Sequence, residues 1–166
     1  PWFHAICGNH EQLVCRTASG NPMPDVDHMK HGGDWMLGMS EPELNAIVDR
    51  LSALPIAMEV ETREGPVGLV HAGYPFEDWN DIRSFHLTDS AIDCCLWSRD
   101  RYSRRCDQPV ANVRALIHGH TTLEEVETLG NVIFIDTGGW RRARGHFTLL
   151  NLHTLEPILA AEAVES

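Results

Sequence analysis

Short apolar segments that each end in polar side chains are the feature of this sequence that most restricts its fold. Four of these segments run into residues whose side chains can bind metal ions: Gly8-Asn9-His10 after Cys7, His71 after Val70, His118-Gly119-His120 after Ile117, and Asp136-Thr137-Gly138 after Ile135. In layered α/β folds the loops beyond the carboxyl ends of the strands converge on one edge of the sheet. The pattern therefore predicts an α/β fold in which residues distant in sequence meet at one site.

The residues before and between these segments predict the N-terminal elements. The apolar run Trp2–Cys7 predicts a buried strand, and His10–Arg16 predicts the start of a helix. The stretch Ala18–Gly38 is rich in glycine and proline, which predicts a long irregular segment. Such a segment either faces the substrate or is an unconstrained surface insertion, and the sequence leaves both open.

The rest of the chain alternates between predicted strands and helices. Ser40 and Glu43 form a capping box that opens an amphipathic helix, which Pro55 ends. Glu64-Gly65-Pro66 and Gly130-Asn131 are predicted to be hairpin turns. The other predicted elements are strands at Ile56–Glu61, Val67–Val70, Arg114–Ile117, Glu125–Leu129, Val132–Ile135 and Phe147–Leu152, and a helix at Ser90–Trp97.

Composition and charge exclude several classes of protein. With 166 residues, 43% of them hydrophobic, the chain can bury a core and form one domain or most of one. A formal net charge of −11 would repel nucleic acid and an anionic membrane surface, so neither is expected as a partner. The basic residues Arg141, Arg142 and Arg144 border a glycine-rich turn, and we interpret them as a solvated loop rather than a phosphate-binding tract.

The five cysteines and the absence of a long apolar window indicate the compartment. An odd number of cysteines without a C-x-x-C pair fits neither a disulfide framework nor a zinc ribbon, so we expect a reducing environment. No segment approaches the length of a membrane span and no leader-like segment opens the chain. A cytoplasmic location is expected.

The ligand types at the four strand ends favour a metal site. Neutral imidazole, amide oxygen and carboxylate groups suit ions such as manganese, iron and zinc. Taken alone, each histidine is better explained as a hydrogen-bonded packing residue. Packing alone explains much less well why four predicted strands along the chain each end in such residues.

The polar segments, with one more, resemble the later motifs of the calcineurin-like metallophosphoesterases. The most similar subgroup is that of the bacterial and phage-lambda-type serine/threonine protein phosphatases, and the resemblance runs from Trp2 to about Leu152. The residues that carry it are Gly8-Asn9-His10-Glu11, His71-Ala72-Gly73-Tyr74-Pro75, Trp97-Ser98-Arg99-Asp100-Arg101, His118-Gly119-His120-Thr121 and Asp136-Thr137-Gly138.

The resemblance implies a four-layer α/β/β/α sandwich that is truncated at its N-terminus. The family's two earlier motifs, G-D-x-H-G and G-D-x-x-D-R-G, do not occur in the sequence, which begins at Pro1 and has its first methionine at Met23. We expect these motifs upstream of Pro1. Residues 1–155 would then be the C-terminal two-thirds of a single domain, and residues 156–166 a C-terminal tail.

The resemblance also implies roles for individual residues. Asn9, His71 and His120 correspond to ligands of the second of two metal ions. His10 corresponds to the catalytic histidine that protonates the leaving alkoxide. Arg99 corresponds to the arginine that holds phosphate oxygens, a task suited to a planar guanidinium.

Four further residues receive supporting or structural interpretations. Asp136 is expected to support the neighbouring histidines without binding metal itself, and His118, one position away from the family's histidine, is interpreted as a structural residue behind the ligands. Glu11 is interpreted as a helix-capping carboxylate and Trp97 as a packing residue. Cys7 departs from the family, because many members have arginine there, so a second phosphate contact or a supporting ion pair is absent.

The implied activity is metal-dependent hydrolysis of a phosphoester. The cofactors would be two divalent metal ions, manganese first with iron or zinc as alternatives, and the substrate a phosphoprotein or a small phosphoester. Without the upstream motifs the chain as given is expected to be inactive.

Two alternatives stay open: a diadenosine tetraphosphate hydrolase of the same fold, with Trp79 or Trp35 near a base, and a non-catalytic remnant that acts as a binding module. The oligomeric state is left open.

Overall fold

Local capping signals determine where the helices of the N-terminal part begin. The computed structural model describes residues 3–24, 26–84, 87–141 and 144–158. The chain divides after Ile56 into two compact units. In the first unit, α1 spans Asn9–Ala18 and α2 spans Glu41–Ser52. The N–H of Ser40 donates to the Glu43 carboxylate at 3.0 Å, so the predicted helix and its capping box are confirmed.

The segment before α1 is not a strand, and that prediction was wrong over its described part. Phe3–Cys7 makes no strand pairing, and the Phe3 side chain is 69% exposed. The Cys7 N–H instead donates to the carbonyl oxygen of Pro55 at 2.8 Å, a single contact. An apolar run becomes a strand only beside a row of backbone partners, which the described part of this unit does not offer it. Trp2 lies outside the described residues.

The long segment predicted to be irregular contains two short 3₁₀-helices, His28–His31 and Gly33–Met36. Gly32 between them has a φ of 85°, a left-handed conformation that favours glycine. The buried His28 ring anchors the segment to α1, because its Nδ1 lies 3.1 Å from the Thr17 hydroxyl. Whether the segment contacts a substrate stays a prediction.

The second unit is built on a five-stranded mixed sheet and a separate two-stranded ladder. The strands are β1 at Ala57–Val60, β2 at Val67–Val70, β3 at Ala115–His118, β4 at Glu127–Leu129, β5 at Val132–Phe134, β6 at Leu149–Asn151 and β7 at Glu156–Ile158. The order in the larger sheet is β1-β2-β3-β5-β4, and β6 pairs with β7. The pairs β2–β3 and β3–β5 are parallel, whereas β1–β2, β4–β5 and β6–β7 are antiparallel.

The predicted strands are confirmed with small shifts in their bounds. Gly130, at a φ of 64°, lies in the predicted turn between β4 and β5. Three helices accompany the sheet: α3 at Asp81–Ser84, α4 at Asp89–Trp97 and α5 at Asp100–Ser103. Only α4 was predicted, because α3 and α5 are too short to show periodicity.

The boundary predicted for the C-terminal tail was placed too early. The strand β7 occupies the first residues of the segment predicted to be a tail, and Ile158 pairs with Leu149 of β6. The backbone register of a two-stranded ladder, rather than burial, holds these residues. All three residues of β7 are exposed, so no apolar pattern indicated the strand. The small and acidic residues after Ile158 lie outside the described part of the chain.

One part of the core lies between the larger sheet and the β6–β7 ladder. Every residue of β3 and β5 is buried, as expected for central parallel strands. Leu150, Leu152 and Leu155 pack against the buried cluster of Val67, Ala115, Ile117 and Ile133. Two β layers are therefore in contact, and the predicted mixed α/β class is confirmed. In the described ranges, no helix has the length and apolar character needed to cross a membrane.

Candidate metal centre

The parallel strands β2 and β3 end side by side and bring His71 and His120 together. Leu69 pairs with Ile117 in the ladder, and beyond it the Gly119 N–H donates to the His71 carbonyl oxygen at 2.9 Å. The His118 carbonyl in turn accepts from the Ile135 N–H at 2.8 Å, which joins the end of β5 to the same edge. Backbone hydrogen bonds thus fix the segments that carry the predicted ligands.

The His71 and His120 side chains face each other through ring nitrogens. Nε2 of His71 lies 3.2 Å from Nδ1 of His120. Nε2 of His120 lies 3.2 Å from the carbonyl oxygen of Trp97, which can only accept, so this nitrogen carries the proton and donates. Nδ1 of a neutral His120 therefore presents its lone pair toward His71. Histidine ligands of metals commonly donate their other ring N–H to a backbone carbonyl in this way.

The surroundings of His120 keep its imidazole neutral. Burial, followed by the positive charge of Arg99 and by His71, lowers the pKa of His120 to about 4 from its ordinary value of 6.5. The bond to Trp97 and the charge of Asp136 act in the opposite direction without reversing the shift. At neutral pH the ring is in the unprotonated form that binds metal.

The spacing of the two nitrogens suits a shared metal ion. Two nitrogens 3.2 Å apart can both bind an ion at about 2.0–2.1 Å, with an angle of about 100° between the two bonds, near the tetrahedral value. Among the described residues, no group of three or more His, Cys, Asp or Glu side chains could hold an ion. Metal binding by the pair stays a prediction, and an ion held there would need further, preferably anionic, ligands.

His120 also has an unusual backbone conformation. Its φ is 60°, in the left-handed region that residues other than glycine rarely adopt. Strained backbone of this kind persists where the surrounding structure holds it, often at functional sites. Here the neighbouring bond from Gly119 to His71 and the bond of the His120 ring to Trp97 hold it.

Arg99 lies beside the histidine pair, at the start of α5. Its Nη2 donates to the carbonyl oxygen of His120 at 3.2 Å, and the side chain is exposed. The guanidinium is thereby placed next to the predicted metal ligands while its outer face meets solvent. This position suits an anionic group bound to the same ion.

Asp136 and His118 have side-chain hydrogen bonds to groups other than His71 and His120, and their support of these histidines stays a prediction. The Asp136 carboxylate accepts from the Gly138 N–H at 3.0 Å and from the Thr122 hydroxyl at 3.4 Å, so it stabilises its own turn and acts on His120 through its charge. His118 is fully buried, and its Nδ1 lies 2.9 Å from the Val70 carbonyl oxygen. Each residue lies at the predicted edge of the sheet.

The remaining predicted residues, Asn9 and His10, form the first turn of α1 in the other unit. Asn9 is buried and His10 is exposed. The Glu11 carboxylate accepts from the Gly8 N–H at 2.8 Å, which confirms Glu11 as a helix cap; glycine has no side chain to complete the reciprocal bond. Convergence of Asn9 with His71 and His120 stays a prediction.

The sequence interpretation missed two interactions of the predicted site residues. Burial and the charges of His10 and His31 lower the pKa of His28, so the long segment brings a buried histidine close to His10. The carbonyl of Trp97 orients the His120 ring. Every residue has a backbone carbonyl, so the sequence cannot indicate that the Trp97 carbonyl binds His120.

Cys7, which stands where many family members have arginine, is a weak nucleophile. Burial, with contributions from Glu11 and Cys15, raises the pKa of the Cys7 thiol to about 11. The reactive form of cysteine is the thiolate, so this thiol stays protonated and unreactive at neutral pH. All five cysteines are unpaired. Redox control through Cys7 therefore gains no support.

One open cavity, of about 510 Å³, lies beside Tyr102 and the segment 122–127. Its lining includes the carboxylates of Glu124, Glu125 and Glu127. Arg105 and the Tyr102 hydroxyl both donate to the Glu127 carboxylate, at 2.7 and 2.8 Å. The acidic lining suits a phosphate group poorly.

Comparison with known proteins agrees with the motifs. The chain is 27% identical over 156 residues to serine/threonine-protein phosphatase 2 of Escherichia coli (strain K12), which covers 89% of this chain and 67% of that protein. It is 29% identical over 149 residues to the protein of the same name from Salmonella typhimurium, which covers 84% of this chain and 64% of that protein. No protein-family model matches the chain.

A solved structure shares the fold. A hypothetical protein from Pyrococcus horikoshii OT3 superimposes with a TM-score of 0.50 at 19% identity, over 93% of this chain and 60% of that one. The fold and these similarities agree with the resemblance to the calcineurin-like metallophosphoesterases, and in particular to the bacterial serine/threonine protein phosphatases. The chain spans about two-thirds of the length of the curated relatives it matches.

Proposed function

We propose that this chain carries part of the active site of a metal-dependent phosphoester hydrolase that acts as a serine/threonine protein phosphatase. The observation that supports this most is the neutral His120, whose Nε2 donates to Trp97 and whose Nδ1 faces His71 at 3.2 Å. A ring held by a backbone carbonyl with its lone pair toward a second imidazole is the arrangement typical of a metal-binding histidine. The names of the two curated relatives give independent support.

In this proposal His71, His120 and Asn9 hold one of two divalent ions, with manganese preferred over iron or zinc. Bound there, the ions would supply an activated water and would neutralise the charge of the phosphate. The remaining ligands correspond to the two motifs that this sequence lacks. The expected setting is the cytoplasm, with neither nucleic acid nor a membrane as partner.

The protein side chains bind the phosphate and move the proton. Arg99 binds phosphate oxygens through its guanidinium, beside the His120 carbonyl that it already contacts. As the water oxygen forms its bond to phosphorus, the bond from phosphorus to the serine or threonine oxygen breaks. His10 donates its proton to that departing oxygen, a contribution of about 10²–10⁴ in rate. No covalent intermediate with the protein is needed.

The alternative substrate, diadenosine tetraphosphate, loses one of its two supporting residues. Trp79 is 2% exposed, stacks on Tyr74 with ring centroids 5.3 Å apart, and donates its indole N–H to Glu59. A tryptophan held in this way cannot stack on a base. Trp35 is exposed and is the one residue left to support this alternative, whereas both curated relatives are named as serine/threonine-protein phosphatases. We therefore favour the phosphoprotein substrate.

The proposal is tested by measuring three activities of the protein in manganese. The chain is expressed alone and together with any residues that its gene encodes before Pro1. We expect phosphate release from a phosphoserine peptide and from p-nitrophenyl phosphate by the longer protein, and little cleavage of diadenosine tetraphosphate. The chain alone should be inactive, because its three predicted ligands are neutral and none compensates the charge of the ions.

Other outcomes would select among the alternatives. Cleavage of diadenosine tetraphosphate in preference to the phosphopeptide would contradict the substrate assignment. Metal binding without any hydrolysis by the longer protein would identify a binding module. Full activity of the chain alone with two metals bound would contradict the claim that this chain contains only part of the metal site. Carboxylates such as Asp78, Asp81 and Asp136 would then be the candidates for the other ligands.

A further inference from the structure

His118 lies at the end of β3, and among the described residues its side chain makes one hydrogen bond, to the neighbouring strand β2. Its side chain is fully buried, and Nδ1 lies 2.9 Å from the carbonyl oxygen of Val70, the residue before His71. A carbonyl only accepts, so Nδ1 carries the proton and donates. The His118 side chain at the end of β3 therefore holds the backbone of β2 at Val70, the residue before the predicted metal ligand His71.

Packing alone does not explain an imidazole at this position. The His118 ring lies against Phe134, with centroids 5.6 Å apart, so a phenyl ring would fill the same space. Nε2 of His118 is buried without a hydrogen-bond partner, and burying such an atom is unfavourable. The bond to Val70 is the contact that an apolar residue of similar size could not make.

Three links join the two strand ends in consecutive order. The His118 side chain binds the Val70 carbonyl, the Gly119 N–H binds the His71 carbonyl at 2.9 Å, and the rings of His120 and His71 approach to 3.2 Å. The first link fixes the peptide that enters His71, and the second fixes the peptide that leaves it. The direction of the His71 side chain depends on both peptides.

We propose that His118 is a positioning residue whose bond to the Val70 carbonyl holds His71 within reach of His120. The geometric part of this proposal needs no metal. The expected effect on metal affinity rests on the proposed function, because it assumes that the two rings share an ion. Partners that orient metal ligands typically contribute about 10–100-fold to affinity.

Three variants separate the hydrogen bond from packing. His118→Asn keeps a donor near the position of Nδ1, and His118→Leu has a similar size without a donor. His118→Phe keeps a ring against Phe134 without a donor. Phe134→Leu is the control, because it disturbs the same packing and leaves the bond from His118 to Val70 in place.

The first readout is the ¹H–¹⁵N spectrum of the histidine rings in metal-free protein. We expect the ring signals of His71 and His120 to shift or broaden in the Leu and Phe variants, and to stay close to wild type in the Asn variant and in the control. The second readout is titration with Co²⁺ of the longer protein, which includes any residues that its gene encodes before Pro1, followed by its visible absorption. Affinity should fall about 10-fold or more in the Leu and Phe variants and recover in the Asn variant.

Unchanged ring signals of His71 and His120 in both His118→Leu and His118→Phe would overturn the proposal. Equal changes of these signals in His118→Asn and His118→Leu would also overturn it. If the Phe variant does not fold, the matched Asn and Leu variants decide alone. If neither wild type nor variants bind Co²⁺, the metal site of the proposed function fails, while the ring signals still decide whether His118 positions His71.

Discussion

The predicted site draws on two regions that hold their residues by different means. At the strand ends, His71 and His120 are fixed by the continuous backbone ladder of buried strands, with Leu69 paired to Ile117 and Gly119 bonded to His71. At the start of α1, His10 depends on a helix turn that the Glu11 side chain caps. The ladder favours a rigid ligand set, and the exposed helix start favours a group that must meet a substrate.

The largest effect is expected at the helix start, from His10→Ala in active protein. Loss of the general acid should slow hydrolysis of a phosphoserine peptide about 10²–10⁴-fold. Hydrolysis of p-nitrophenyl phosphate should suffer much less, because its phenolate leaves without a proton. His4→Ala, at another exposed histidine of the same unit, is the control. Equal losses on both substrates together with loss of metal would make His10 a ligand and remove the distinction between the two regions.

Removing a ligand at the strand ends should instead affect metal binding. We expect His120→Ala to weaken Mn²⁺ affinity by more than about 100-fold, beyond the usual effect of a supporting residue. Activity on both substrates should fall together. The exposed His153 provides the control variant His153→Ala. Isothermal titration measures the affinity, and an unchanged value for His120→Ala would exclude this histidine from the site.

Arg99 tests whether the strand ends also bind phosphate. Loss of a charge-assisted hydrogen bond to the substrate in Arg99→Ala should lower kcat/KM about 10–100-fold while metal content stays constant. Arg104→Ala is the matched control, because Arg104 is exposed and pairs with Asp100 on the same helix. Steady-state kinetics with p-nitrophenyl phosphate and metal analysis give the comparison. Unchanged kinetics in Arg99→Ala would place phosphate binding elsewhere.

The smallest effect is expected from Glu11→Ala, which removes the cap of α1. The free energy of unfolding should fall by about 1 kcal/mol, as for other helix caps. Glu43→Ala removes the corresponding contact at α2 and should cost a similar amount. Only Glu11→Ala should also reduce activity, since it loosens the turn that bears His10. Equal activity in the two variants, with stability measured by urea unfolding, would show that the helix start needs no cap to place His10.

The strand-end region was largely predictable because burial leaves a clear signal in the sequence. Central parallel strands are apolar along their whole length, and this made β2, β3 and β5 visible together with the polar residues that follow them. The neighbourhood of His71 and His120 followed from that pattern. The roles of Asn9 and His10 rest on the family resemblance and stay predictions.

The features that escaped prediction belong to the backbone or to very short elements. The carbonyl of Trp97 and the left-handed φ of His120 have no residue signature. The run Trp2–Cys7 is apolar like a strand, yet its described residues form no strand pairing, and strand pairing is a tertiary property. The strand β7 is exposed throughout, so hydrophobic pattern could not indicate it.

The order of the strands has a consequence for how the molecule folds. The outer pairs β1–β2 and β4–β5 are local hairpins, whereas β2 and β3 join segments whose contacting residues, such as Val70 and His118, are 48 positions apart. Closing a long loop costs entropy before it gains contacts, so the hairpins should form early and the central pairing late. The two imidazoles meet only in that late step. A chain that stalls with both hairpins formed would hold most of its local structure and yet be unable to chelate an ion.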